Sequence, residues 1–171
     1  MTRLIKSKWS LKQDFYNKDG YMEFVSDLIF NEKIQSMKNY TQHGSINCYD
    51  HCLNVSYYSY RLCKLLGLDY KCAARGAMLH DFFLYDWHTT KPSEGLHGFV
   101  HPKIALKNAN KYFCLNEMEK DIIVKHMWPL TLKLPKYKES YIVTFVDKFC
   151  TILEITSLKK ILGFTRLDNC Q

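Results

Sequence analysis

Four histidines and two aspartates recur along the chain, in the order His51, His80-Asp81, His101, His126 and Asp147, at intervals of roughly one helix plus one connection. Their imidazole nitrogens and carboxylate oxygens are the donors that suit divalent cations. The adjacent His80-Asp81 pair ends an apolar stretch, Ala73 to Leu79, that reads as buried helix. An imidazole beside a carboxylate in such a setting is costly unless something compensates both, and a bound divalent cation would do so. Asp147 raises the same question inside the apolar run Ile142–Phe149, where an unpaired carboxylate is a liability. Each residue alone has an ordinary alternative as a surface histidine, a core ion pair or a helix cap. The joint pattern is what points to metal.

Donors without thiolates suit Fe, Mn, Co, Ni or Zn, with Mg at a carboxylate-rich position. One or two such ions can hold a water molecule and lower its pKa from 15.7 toward about 7, which supplies a hydroxide nucleophile at neutral pH. Cations of the chain that could meet further phosphate charge are Lys91, Lys125, Lys133, Lys136, Lys138 and Lys148. Trp87, Trp128 and Tyr137 could stack on a base. The plain alternatives are solvated lysines and half-buried aromatic rings.

These side chains need helices to carry them. Met22, Val25, Leu28, Ile29 and Ile34 predict a helix over about Gly20 to Tyr40. Leu53, Val55, Leu62, Leu65 and Leu66 predict another over 49–66, which begins near Asp50-His51. Gly67 then offers a left-handed stop and Asp69 a cap for a third helix, from about Tyr70 to Phe83, with the doublet near its C-terminal end. Tyr85–Val100 has neither helical nor strand periodicity, and a connection of that length suggests a functional lid. His101-Pro102 reads as a helix start, with proline at the first helical position. Asn116 with Glu119 forms a capping-box pattern before Ile122, Ile123 and His126. Pro129 and Pro135 bracket a link, and Ser140 starts a last long helix. No segment shows convincing strand alternation, so the expected class is all-α.

Nothing repeats and no linker divides the 171 residues, so a single domain spanning 1–171 is expected. The seven cysteines are scattered without a CxxC pair, and the charged N-terminus lacks a signal-peptide core, which together suggest reduced thiols and a cytoplasmic protein. No apolar stretch approaches a membrane span. Net charge is +7, with 12 Lys/Arg against 7 Asp/Glu after residue 101, an excess that suits an anionic small molecule. The basic residues are too dispersed for a nucleic-acid surface.

The order H…HD…H…H…D over about 43–150 resembles the HD-domain metal-dependent phosphohydrolase superfamily, with a helical extension before it and a helix and tail after it. "RGAMLHDFFLYDW", "HPKIAL" and "VTFVDKF" resemble its doublet, third-histidine and final-aspartate helices. The resemblance implies a helical bundle with a core metal site of His51, His80, Asp81 and Asp147. Asp81 would bridge to a second ion held by His101 and His126, and His80 and Asp81 would be catalytic. It favours Fe or Mn. His97, in "LHGFVHP", competes with His101 for the third position, and the Pro-Lys-Ile-Ala after His101 favours the latter. His43 and His88 are expected outside the ligand set.

Two departures stand out. Where many relatives continue the doublet with Ile-Gly-Lys, the lysine position here is Leu84. The His-His pair and Gly-Tyr-Pro signature of the cyclic-dinucleotide phosphodiesterase branch are missing, since Met127 and Trp128-Pro129 follow His126. The implied activity is cleavage of a phosphate ester or anhydride of a nucleotide or other phosphorylated small molecule through a metal-bound hydroxide, with dinucleoside polyphosphates as one substrate class. Two other readings stay open: a di-iron oxygenase of HD type, and a metal-stabilised regulatory or binding module without turnover.

Overall fold

Cys63, Gly67 and Asp69 build the turn on which the helices are hung. The computed structural model describes residues 20–156; the charged N-terminal stretch and the tail after Thr156, with Cys170, lie outside the described residues. The element order is α1 (Met22–Ile29), α2 (Glu32–Gln35), a 3-10 turn (Ser36–Asn39), strands β1 (Thr41–His43) and β2 (Ile46–Asn47), then α3 (Cys48–Leu65), α4 (Tyr70–Leu79), α5 (His97–Tyr112), α6 (Glu117–Lys125) and α7 (Lys138–Thr156). Between α3 and α4, Gly67 takes φ +67° and Leu68 N–H returns to the Cys63 carbonyl at 2.9 Å. That is the geometry by which a left-handed residue closes a helix end. Asp69 then caps α4 by accepting from Cys72 N–H at 3.0 Å.

The α3–α4 hairpin lies between two apolar clusters. One joins Val25 and Leu28 of α1 to Tyr60, Met78, Phe82 and Ala105. The other joins Val55 and Ala77 to Ile122 of α6 and to Val143 and Val146 of α7. Arg75 links the far ends, pairing with Asp27 of α1 at 2.6 Å and with Glu119 of α6 at 3.1 Å. Glu119 also completes the capping box with Asn116. The architecture is mostly helical, as expected. Among the described residues no helix is long and apolar enough to cross a membrane.

Four local expectations need correction. The single helix over Gly20–Tyr40 breaks at Asn31, whose extended backbone and side chain cap α2 by accepting from Lys33 N–H at 2.9 Å. Residues 41–47 form an antiparallel ribbon, where strands were not anticipated. Its turn depends on Gly44 at φ +58°, a conformation that sterics discourage for other residues. The doublet helix stops at Leu79, because His80 caps it and its Nδ1 lies 2.7 Å from the Ala77 carbonyl. Continued helix would have offered that carbonyl to the Asp81 N–H. Finally, α5 starts a turn earlier than expected, at His97, and Pro102 lies inside it. The Leu96 carbonyl is the first acceptor, taking the Phe99 and Val100 N–H groups at 3.0 and 3.2 Å.

Gly76 lets α4 and α6 approach. A Cβ added there would lie 2.9 Å from the Cδ1 and Cγ2 atoms of Ile122 and 3.0 Å from its Cβ. Overpacking of this kind costs about 1–3 kcal/mol, against a helix-propensity gain of about 1 kcal/mol for alanine over glycine. Gly76→Ala is therefore expected to lower the midpoint of urea unfolding. A midpoint at or above that of the parent protein would show that α6 can move away freely.

Candidate metal centre

Except for Asp147, which lies midway along α7, each candidate ligand sits at or near a helix end, where the local backbone fixes its direction. Asn47 caps α3 and accepts from Asp50 N–H at 2.8 Å, which places His51 in the first turn. His80 caps the C-terminus of α4 and His126 that of α6. These two caps repeat one geometry, with Nδ1 facing the carbonyl three residues back: Ala77 at 2.7 Å and Ile123 at 2.9 Å. His101 does the same one residue further back, its Nδ1 lying 2.9 Å from the His97 carbonyl. His51 Nδ1 instead meets the Glu154 carboxylate at 2.8 Å.

The consequence for protonation is direct. Carbonyl and carboxylate oxygens accept and cannot donate, so all four Nδ1 atoms carry hydrogens. In the neutral ring the lone pair is then on Nε2. The Nε2 atoms converge. His51 Nε2 lies 3.2 Å from Asp147 Oδ1, and His80 Nε2 lies 3.5 Å from the same oxygen and 3.3 Å from Asp81 Oδ2. On the other side of Asp81, Oδ1 lies 3.1 Å from His101 Nε2 and 3.5 Å from His126 Nε2. These donors form overlapping groups of suitable size for a cation: His51-His80-Asp81, His80-His126-Asp147 and Asp81-His101-His126.

Close approach is not satisfaction here. His80 Nε2 and Asp81 Oδ1 are buried yet lack a hydrogen-bond partner, despite neighbours within 3.5 Å. His101 Nε2 and His126 Nε2 face each other at 2.9 Å. Two lone pairs and two carboxylates aimed at one volume need a cation between them, a proton or a metal. The residues present fit a divalent metal with nitrogen and oxygen ligands, held by rings whose other nitrogens are already oriented.

Proton affinities follow from the same crowding. Burial opposes charge on His51, but Asp147 and Glu154 overcome it and raise its pKa to about 10. Burial would also lift Asp81, yet the charge of His80 and the proximity of His101 hold it well below the usual carboxylate range. Asp147 is likewise held low against burial, by His51 and His80. His126 is driven the other way, down to about 3, by burial and by His80.

A cavity of about 730 Å³ opens onto this cluster. Asp81, His101, His126 and Asp147 reach it, with Gln42 and His43 from the ribbon. The structure therefore brings all six anticipated ligands together, while His97 stands beside them. The His97 ring stacks on His101 with centroids 4.5 Å apart, and the Tyr85 hydroxyl lies 2.7 Å from its Nδ1. His88 is exposed and lies against Asp86 at 3.2 Å. Of the six lysines expected at phosphate, Lys148 lines the cavity, donating to the His126 carbonyl at 2.9 Å, and Lys138 is exposed away from the lining. Lys125 pairs with Asp121 at 2.6 Å, the Lys136 ammonium lies over the Tyr137 ring, and Lys91 and Lys133 are exposed away from the lining. Trp87 lines the cavity, whereas Trp128 packs on Tyr141.

Sequence reasoning missed two contributors. Glu154 orients His51, and it lies two turns after Asp147 on α7, where the argument used for Asp147 applies equally. Gln42 donates an amide hydrogen to Asp81 Oδ2 and is almost fully buried. Only the unanticipated ribbon brings it there.

No family model matches the chain, and no curated protein or solved structure matches it.

Two outcomes are expected. Removing an orienting partner typically costs a factor of about 10–100 in metal affinity, so Glu154→Ala should weaken binding by that range in a chelator competition, and His88→Ala should not. Metal loading must also displace the Nε2 proton of His51, whose pKa lies at about 10. Protons are thus released at neutral pH, and affinity falls as pH falls. Calorimetry in buffers of different ionisation enthalpy measures this; affinity unchanged between about pH 8 and pH 6 would contradict it.

Proposed function

We propose that this chain is a metal-dependent phosphohydrolase of HD type, acting on a phosphorylated small molecule, with iron or manganese as the resident metal. The observation that carries the reading is Asp81, whose two carboxylate oxygens face different histidine groups, His80 on one side and His101 with His126 on the other. A carboxylate so placed can serve two cations at once. Support for the family assignment is the order of the ligands along helices, together with Glu154 and the backbone carbonyls that orient every ring.

Divalent ions at such a site lower the pKa of water and neutralise phosphoryl oxygens. What the chain itself does can be assigned residue by residue. Asp81 fixes the geometry between the two histidine groups, and Gln42 holds it in place through Oδ2. Lys148 offers positive charge from the cavity wall, tethered to the end of α6. His43 is neutral at neutral pH, because burial and the nearby His51 lower its pKa, so it can accept a proton from the attacking water. Trp87 and Met127 line the cavity and would limit solvent around the reacting group.

The test is metal analysis of the freshly purified protein followed by phosphate release from a panel of phosphate esters, with iron(II) or manganese(II) supplied. Asp81→Asn and Asp81→Ala should lose bound metal and phosphate release together. Full activity in either variant would overturn the assignment. Oxygen consumption without phosphate release would point to oxidative chemistry. Loss of thermal stability in His80→Ala, with no product from the parent protein, would leave a binding module.

A further inference from the structure

The wall of the cavity is chemically lopsided. Near the ligands it carries Asp81, Asp147, His101 and His126, and beyond them it becomes apolar, with Trp87, Met127, Pro129, Leu130 and Ile152. Leu130 and Ile152 are about half exposed, at 49% and 55%, so they form the rim and still face solvent. Trp87 belongs to a ring column whose inner end is His101: it stacks on His97 at 5.1 Å and 13°, His97 stacks on His101 at 4.5 Å and 17°, and the His88 ring lies 3.9 Å from the indole. Both faces of the indole are thus covered by rings, and Trp87 adds to the apolar wall that runs from the rim toward a candidate ligand. The indole Nε1 of Trp87 and the amide oxygen of Gln42 are buried without hydrogen-bond partners.

Charge is scarce on the same wall. Among the described residues, Lys148 is the one lysine in the lining, and its ammonium already donates to the His126 carbonyl. A polyphosphate chain brings several negative charges, and each phosphate beyond the metals requires its own donor. The lysines that could have served are turned to other work or to solvent, as Lys125 is by Asp121 and Lys136 by Tyr137. Apolar surface next to a polyphosphate would gain nothing from burial.

We propose that the substrate is a phosphomonoester carrying one phosphoryl group on a largely apolar body, and that polyphosphates are poor substrates. This rests on the phosphohydrolase reading above. In the reaction, water attacks phosphorus, the bond from phosphorus to the ester oxygen breaks, and the alcohol leaves with a proton. Inorganic phosphate is the second product, so no oxidant or further reactant is required. The phosphoryl group sits at the ligand cluster, and the body lies along Trp87 toward Leu130 and Ile152.

Two measurements on the full chain test this. In the first, calorimetry compares a naphthyl phosphonate, which cannot be hydrolysed, with methylenebisphosphonate on manganese-loaded protein. The phosphonate should bind at least about tenfold more tightly, the discrimination typical of a matched apolar pocket, and Leu130→Lys or Ile152→Lys should reduce that preference. In the second, kcat/KM is compared for naphthyl phosphate, glycerol phosphate and a dinucleoside tetraphosphate, in that expected order. Tighter binding of the bisphosphonate, or fastest turnover of the tetraphosphate, overturns the proposal while leaving the hydrolase reading intact. Preferential phosphonate binding with no phosphate released from any ester keeps the shape of the pocket and overturns the hydrolase reading. Binding of neither compound overturns both.

Discussion

Buried carboxylates crowded together among imidazoles are the constraint on which this structure depends. Asp81, Asp147 and Glu154 are all at least nine-tenths buried, and among the described residues no ion pair within 4.0 Å joins Asp81 or Asp147 to an arginine or lysine. Isolated charges in such a place cost several kcal/mol each after relaxation. Here the compensation is a shell of imidazoles, each held by an oxygen on its far side. The helices are arranged to deliver those rings. Gly76 sets the spacing of α4 and α6, which determines how far His126 stands from His80, and the two rings meet edge to face at 4.8 Å.

Much of this was visible in the sequence because the signals are local. Gly67 with Asp69 specifies a turn whatever surrounds it, and Asn116 with Glu119 specifies a helix start in the same way. The His80-Asp81 doublet was legible because its polarity contradicts the apolar run before it. Features that depend on competition between neighbours were not. Asn31 breaks the first helix by offering its own side chain to the backbone, against an apolar pattern that favours continuation. The start of α5 moved to His97 because the proline signal at Pro102 permits a helix start there without requiring one.

The ribbon shows where local reading runs out. Strands of three and two residues carry too little alternation to be recognised, and the pair is stabilised by contact with α3 and α7. Yet it delivers Gln42 and His43 to the cavity, so part of the chemistry hangs on an element without its own sequence signature. Leu84 is a related case. Its backbone takes φ +60°, which costs a non-glycine residue roughly 1–2 kcal/mol, and it stands where relatives of the resembled family carry a lysine. The leucine side chain is uncharged and packs against the apolar core, so this position supplies no charge toward the cluster.

The matching caps at His80 and His126 have an electrostatic consequence for the order of events. Peptide dipoles sum along a helix to leave about half a negative charge at its C-terminal end, and α4 and α6 both terminate against the same cluster. Together with the carboxylates, these ends make the centre a well for positive ions and a barrier to anions. A phosphorylated molecule arriving before the cation would be repelled, and one arriving afterwards would be drawn in. On the phosphohydrolase proposal, assembly of the centre would thereby have a sequence in time, with the cation obliged to come first.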